Sequence, residues 1–229
     1  MFDPNLLSLL QLTDTTLPIG GYAHSNGLET YVQLGIVKDI KTARTFVTEM
    51  LSQNIQYTDA AFVSLAYAAA EQNDLAKILE LDDECTAVKL PEETRQASQK
   101  LGARLIKIFQ PICKNRFSCA YKDSILQNEA KGHFCIAFGI YAHALKISKE
   151  QALTGFYYNA SAGMVTNCVK LIPLGQQDGQ ELLFSLQPLI NKLVENSLQP
   201  DKDLIGRCCT GFDIRGMQHE QLYSRLYMS

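Results

Sequence analysis

The strongest constraint on this chain is a rhythm. In one segment after another, apolar residues recur at three- and four-residue steps, and nowhere do they alternate over a useful length. Phe134, Phe138, Tyr141, Ala142 and Leu145 stand at i, i+4, i+7, i+8 and i+11, one face of a 3.6-residue helix. Leu153, Tyr157, Ala160, Met164, Cys168 and Leu171 continue the pattern in a longer segment opened by Ser148 with Gln151 three residues on, a capping-box pair. Asp39 opens another, with Ala43, Phe46, Val47, Met50 and Leu51 on one side, and Thr58 a fourth, with Phe62, Leu65, Ala66 and Ala69. A chain patterned in this way folds as helices packed on helices.

The remaining segments follow from their punctuation. Asp3 with Pro4 starts a first helix carrying Leu6, Leu9 and Leu10. The run 13–21 is a loop, broken by Pro18 and the Gly20-Gly21 pair. Asn26 with Glu29 reads as a capping box for a short helix that stops near Gly35. A short helix covers Asp74 to Asp83, and one beginning at Pro91-Glu92-Glu93 runs to about Phe109 before Pro111. Segment 113–130 is a helix with irregular ends. A helix over about 177–197 contains Pro188, which must kink or break it. Beyond Pro200 the chain loosens through Gly206, Gly211 and Gly216, then ends on Leu222, Tyr223, Leu226 and Tyr227. The expectation is an all-α, single-domain helical bundle of about ten helices over residues 1–229. Its tail, 200–229, is loosely held and dependent on a partner.

Charge and cysteine content narrow the function classes. Twenty-one basic and 24 acidic residues give a net charge of −3, which offers no electrostatic footprint for nucleic acid or an anionic membrane. No apolar run reaches the length of about 18 residues that a spanning helix requires. Met1-Phe2-Asp3-Pro4-Asn5 lacks the basic start of a secretory signal. Seven cysteines, with no CxxC spacing and one adjacent pair, Cys208-Cys209, read as reduced thiols in a cytoplasmic protein.

Common catalytic apparatus is missing from the sequence. There is no P-loop, no GxGxxG and no GxSxG elbow. His219-Glu220 begins like HExxH, but Tyr223 occupies the second ligand position. His133 and His143 are ten apart and so lie about 80° apart around a helix. No metal site and no cofactor are expected. Three stretches can carry function. The loop Leu17 to Glu29 is either a plain connection or an ordered recognition surface. The end of the long helix, Val169 to Gln176, holds Lys170, which can simply cap carbonyls. The tail His219 to Ser229 is either a last core helix or a segment that docks into a partner, a use suited to its Tyr and Arg content.

Four ordered blocks of sequence resemble the family of urease accessory proteins UreF. They are Leu17-Pro18-Ile19-Gly20 through His24-Ser25-Asn26-Gly27-Leu28-Glu29; Asn159-Ala160-Ser161 through Asn167-Cys168-Val169-Lys170; Ile172-Pro173-Leu174-Gly175-Gln176 with Asp178-Gly179-Gln180; and Met217-Gln218-His219-Glu220 to Tyr223-Ser224-Arg225-Leu226-Tyr227. Thr15-Thr16 and Tyr227-Met228 depart from the family pattern. The resemblance implies an all-helical, homodimeric, non-catalytic protein that binds the UreD/UreH scaffold. Through that scaffold it recruits and gates the nickel-carrying GTPase UreG, so that nickel reaches the urease apoprotein. By position, Glu29, Tyr31, Lys170, Ser224 and Arg225 match residues the family uses to recruit or control the GTPase, and His219 and Glu220 complete the partner-binding set. Two other readings stay open: a helical enzyme with Glu29, His24 or His219 as acid/base, and a direct nickel metallochaperone using Cys208, Cys209 and His219.

Overall fold

The computed structural model describes residues 4–207 and 209–228. Among these the chain forms twelve α-helices and no strand. They are α1 (Leu6–Leu12), α2 (Leu28–Gln33), α3 (Ile40–Glu49), α4 (Asp59–Glu71), α5 (Leu75–Val88), α6 (Glu92–Phe109), α7 (Arg116–Leu126), α8 (Phe134–Ala144), α9 (Lys149–Leu171), α10 (Gln176–Ser185), α11 (Gln187–Leu198) and α12 (Thr210–His219). A π-helical turn, Met50–Ile55, continues α3, and short 3₁₀ turns lie at Gly21–Ala23 and Lys202–Leu204.

Local chemistry explains several helix starts. The Asp39 carboxylate accepts from the Thr42 N–H at 2.8 Å, and Asp74 accepts from the Lys77 N–H at 2.9 Å. Asn115 caps α7 by accepting from the N–H groups of Phe117 and Ser118. The Ser148–Gln151 capping box forms as its spacing predicts. Pro188 does interrupt the expected 177–197 helix: α10 ends at Ser185 and α11 begins at Gln187, so the missing N–H of Pro188 falls in a first turn where no acceptor awaits it.

Other expectations change. The first helix is capped by Asn5 and starts at Leu6, while Asp3 lies outside the described residues. The Asn26–Glu29 capping box does not form. Gly27, at φ 80°, is the residue before α2, and the Glu29 side chain is committed elsewhere. α5 runs on from Asp83 to Val88 because the Asp82 and Cys85 side chains turn inward.

The core centres on α8, whose residues Cys135 to Ala142 are all buried. It lies mainly against α4 and α6. The α4–α8 approach is close enough that a Cβ on Gly139 would stand 2.6 Å from the Val63 carbonyl oxygen. Likewise a Cβ on Gly102 of α6 would strike the Gly132 carbonyl just before α8. With tryptophan absent, Phe134, Phe138 and Phe156 supply an aromatic cluster with centroids 5.1–5.9 Å apart. α9 packs on α10, α11 and α4, and α12 is laid across α2 and α6. None of the described helices is long and apolar enough to cross a membrane.

Candidate functional site: a tail-closed cavity

Between the N-terminal loop, α6, α9 and α12 lies a cavity of about 380 Å³. His24, Asn159, Asn167 and Lys170 are among its polar walls, and Phe212, Asp213 and Gly216 of α12 close one side. Asp59 and Lys89 also line the cavity, as a largely buried ion pair. The Lys89 ammonium donates to both Asp59 oxygens, at 2.9 and 2.8 Å. Burial alone would raise the Asp59 carboxyl, but the Lys89 charge outweighs it and holds the acid below the carboxylate range. Lys89 is in turn held well above its ordinary value, since Asp59 more than offsets the desolvation that disfavours the ammonium. His24 moves the other way. Burial lowers its pKa, and the nearby cations Lys100 and Arg104 lower it further.

The tail is fastened to this cavity by a charged cluster. His219, the last residue of α12, is 1% exposed. Its Nδ1 faces Glu93 Oε2 at 2.7 Å and its Nε2 faces Glu29 Oε2 at 3.2 Å. An imidazole can donate to both carboxylates only in its doubly protonated form. Glu29 also accepts from the Leu226 N–H at 2.7 Å and the Tyr227 N–H at 3.2 Å. Arg225 closes the circuit as an ion pair with Glu93. The two acids thus hold one imidazole, one guanidinium and two backbone donors, all contributed by the last eleven residues.

Around this clasp the contacts are sparser. The Gln33 amide donates to the Ser224 carbonyl, Thr30 Oγ1 to the Arg215 carbonyl, and the Met228 N–H to the Ala23 carbonyl. Upstream, the Gly206 N–H reaches the Tyr57 carbonyl, and Cys209 Sγ donates to the Gln53 carbonyl in the π-helical turn. Tyr31 packs edge-on against Phe46 and tilted against Phe212, and the Arg215 guanidinium lies 5.9 Å from its ring centre. Burial raises the Tyr31 hydroxyl pKa. Meanwhile Ile214, Met217, Tyr223, Leu226 and Met228 are exposed. Tyr227 is buried, yet its hydroxyl has no protein hydrogen-bond partner among the described residues.

The sequence-derived residues therefore divide into groups. Glu29, His219 and Arg225 come together, and Ser224 lies beside them through its backbone. Tyr31 shares α2 with Glu29 and anchors α12 by its ring. Glu220 is exposed just past the end of α12, outside the clasp. Lys170 is also apart, exposed in the last turn of α9 on the cavity wall. Glu93 is the member that sequence reasoning missed. Its place in the first turn of α6 explained it as a helix-dipole acid, and nothing local announced a partner 126 residues away. The Lys89–Asp59 pair was missed for the same reason. Of the metallochaperone set, Cys208 lies outside the described residues, Cys209 is bonded to a backbone carbonyl, and both His219 nitrogens face carboxylates. No group of three or more His, Cys, Asp or Glu among the described residues has a metal-binding arrangement.

What this defines is an all-helical protein organised around a polar cavity, one side of which is a C-terminal segment clipped on by ion pairs. The UreF family model matches residues 37–187. A protein of Actinobacillus pleuropneumoniae serotype 3 called urease accessory protein UreF is 47% identical over 222 residues, covering 97% of this chain and 98% of its own length. Proteins of the same name from Haemophilus influenzae (46% identical, 98% of this chain and 96% of the relative) and from Bacillus sp. strain TB-90 (35%, 98% and 99%) align as fully. The chain belongs to the UreF family of urease accessory proteins.

Proposed function

We propose that the protein acts as a non-catalytic, homodimeric adaptor in the cytoplasm. It binds the UreD/UreH scaffold and, through it, recruits and gates the nickel-carrying GTPase UreG, so that nickel is inserted into the urease apoprotein. The observation that carries this reading is the clasp. Glu29 and Glu93, on α2 and α6, hold a tail that also walls the cavity, so any partner that reseats the tail changes both a protein surface and access to the interior. The energetics suit a movable element. Partly exposed ion pairs such as Arg225–Glu93 contribute only about 0–1 kcal/mol. Burying the Tyr227 hydroxyl without a partner costs about 1–3 kcal/mol. A segment so balanced is shifted by modest differential affinity for one of its two states.

Reconstitution tests the whole reading. Apo-urease is activated with nickel, bicarbonate, scaffold and GTPase, with and without this protein, and the protein should be required. If activation is equally fast without it, the proposal fails. Co-purification tests the clasp itself. Arg225→Ala, Glu93→Gln and removal of residues 220–229 should retain less GTPase on the scaffold complex than the wild type. Full retention by all three would remove the tail from the mechanism.

A further inference from the structure

Near the Lys89–Asp59 pair, two thiols face one another. Cys85 of α5 and Cys135 of α8 are both fully buried, with their sulfurs 3.5 Å apart. They belong to a polar seam inside an otherwise apolar core. His133 bridges Thr86 and Ser98 through its two ring nitrogens, and Lys89 lies one helical turn after Cys85. We propose that Cys85 and Cys135 form a redox-reactive dithiol, a modification site at which a small hydroperoxide produces a disulfide joining α5 to α8.

Geometry and charge divide the roles between the two sulfurs. Burial opposes ionisation of Cys85, but the hydrogen bond from Cys135 and the nearby Lys89 ammonium help to outweigh it, and its pKa is lowered. Burial holds Cys135 well above the ordinary thiol range. A thiolate is the nucleophile in such chemistry, which makes Cys85 the attacking residue and Cys135 the resolving one. The other buried thiol provides the contrast. Cys168 has no charged neighbour to oppose its burial and is pushed up to about 12.

The chemistry proceeds in two steps. The Cys85 thiolate attacks the terminal hydroxyl oxygen of the peroxide. An S–O bond forms and the O–O bond breaks; the sulfur is oxidised to a sulfenic acid, and the other oxygen leaves, taking the proton that the Cys85 thiol released on ionising, as alcohol, or as water from hydrogen peroxide. Cys135 then attacks the sulfenic sulfur. An S–S bond forms, the S–O bond breaks, and hydroxide departs as water with the Cys135 proton. The sulfurs must close by about 1.5 Å to reach disulfide length. Lys89, one turn after Cys85, and Phe134, next to Cys135 in the chain, line the cavity, while the two thiols are themselves fully buried. That burial shuts out a bulky disulfide oxidant and makes a small peroxide the reagent.

The test uses the whole wild-type protein, treated with hydrogen peroxide, denatured, alkylated and mapped by mass spectrometry. The expected product is two hydrogens lighter, with the Cys85 and Cys135 peptides joined and both thiols protected from alkylation. Because the new link closes a long stretch of chain, the thermal midpoint should rise by roughly 5–10 °C and fall back with dithiothreitol. Cys135→Ala should give no cross-link and a dimedone-reactive sulfenic acid at Cys85, and Cys85→Ala neither. The proposal is overturned if both thiols of the wild type remain fully alkylatable, or if peroxide modifies Cys113 or Cys119 while sparing this pair. Equal cross-linking by glutathione disulfide would overturn the access route.

Discussion

The α4–α8 contact is buried and the seam beneath the tail only partly so, and opposite forces hold them. The first is made by shape. Gly139 lets two helices approach until backbone meets backbone at Val63 and Tyr67, beside the small side chain of Ala66. The second is made by charge. Two acids on α2 and α6 gather the ends of α12 and the tail, while Ile214, Met217, Tyr223, Leu226 and Met228 there are exposed. Shape-packed contacts tolerate almost no displacement. Charge-held ones can exchange partners, since water or another protein can replace each hydrogen bond. The contrast teaches where this molecule can move without unfolding.

Among the polar groups on the core side, Asp82 gives the largest expected effect. Asp82 is fully buried and accepts from the Tyr121 hydroxyl at 2.6 Å and from the N–H groups of Lys131, Gly132 and His133. Asp82→Ala orphans these donors and should cost about 3–5 kcal/mol, measured by urea unfolding. Gly139→Ala should cost about 2–3 kcal/mol by forcing α8 away from α4. Arg225→Ala should change global stability by less than about 1 kcal/mol, while limited proteolysis should cut after residue 220 several-fold faster. If Arg225→Ala destabilises the whole domain as much as Gly139→Ala does, the two regions are not distinct.

A pH titration refines the comparison further. The folded-state pKa of Asp59 is lowered, so its contribution is present above the ordinary carboxylate value and is lost as pH falls through the lowered one. Stability should therefore decline below about pH 4. The decline should be shallower in Asp59→Asn combined with Lys89→Met, compared by thermal midpoints across the acid range. An unchanged acid slope in that double variant would show that the pair does not link the cavity to folding.

Much of this architecture was readable along the chain. Caps at Asp39, Asp74 and Ser148 located three helix starts, and Gly35 and Pro188 located two breaks, because capping and steric exclusion act over three or four residues. Helix ends were harder to place. Asn73, Asn128 and Lys146 take the left-handed conformation that ends α4, α7 and α8, a role glycine usually signals. Asp82-Asp83-Glu84 resembled an exposed helix end until the fold supplied four donors to its first member. Nothing near Glu29 in the sequence distinguishes a capping acid from one half of a clasp.

The sequence by itself determined the helical class, the punctuation of most helices and the family, since periodicity, capping and ordered motif blocks are properties of neighbouring residues. Tertiary structure alone decided that Glu93 meets His219, that Lys89 neutralises Asp59 and that Cys85 faces Cys135. Those pairings join residues 126, 30 and 50 positions apart. Their energies depend on burial and distance, which exist only once the helices have packed.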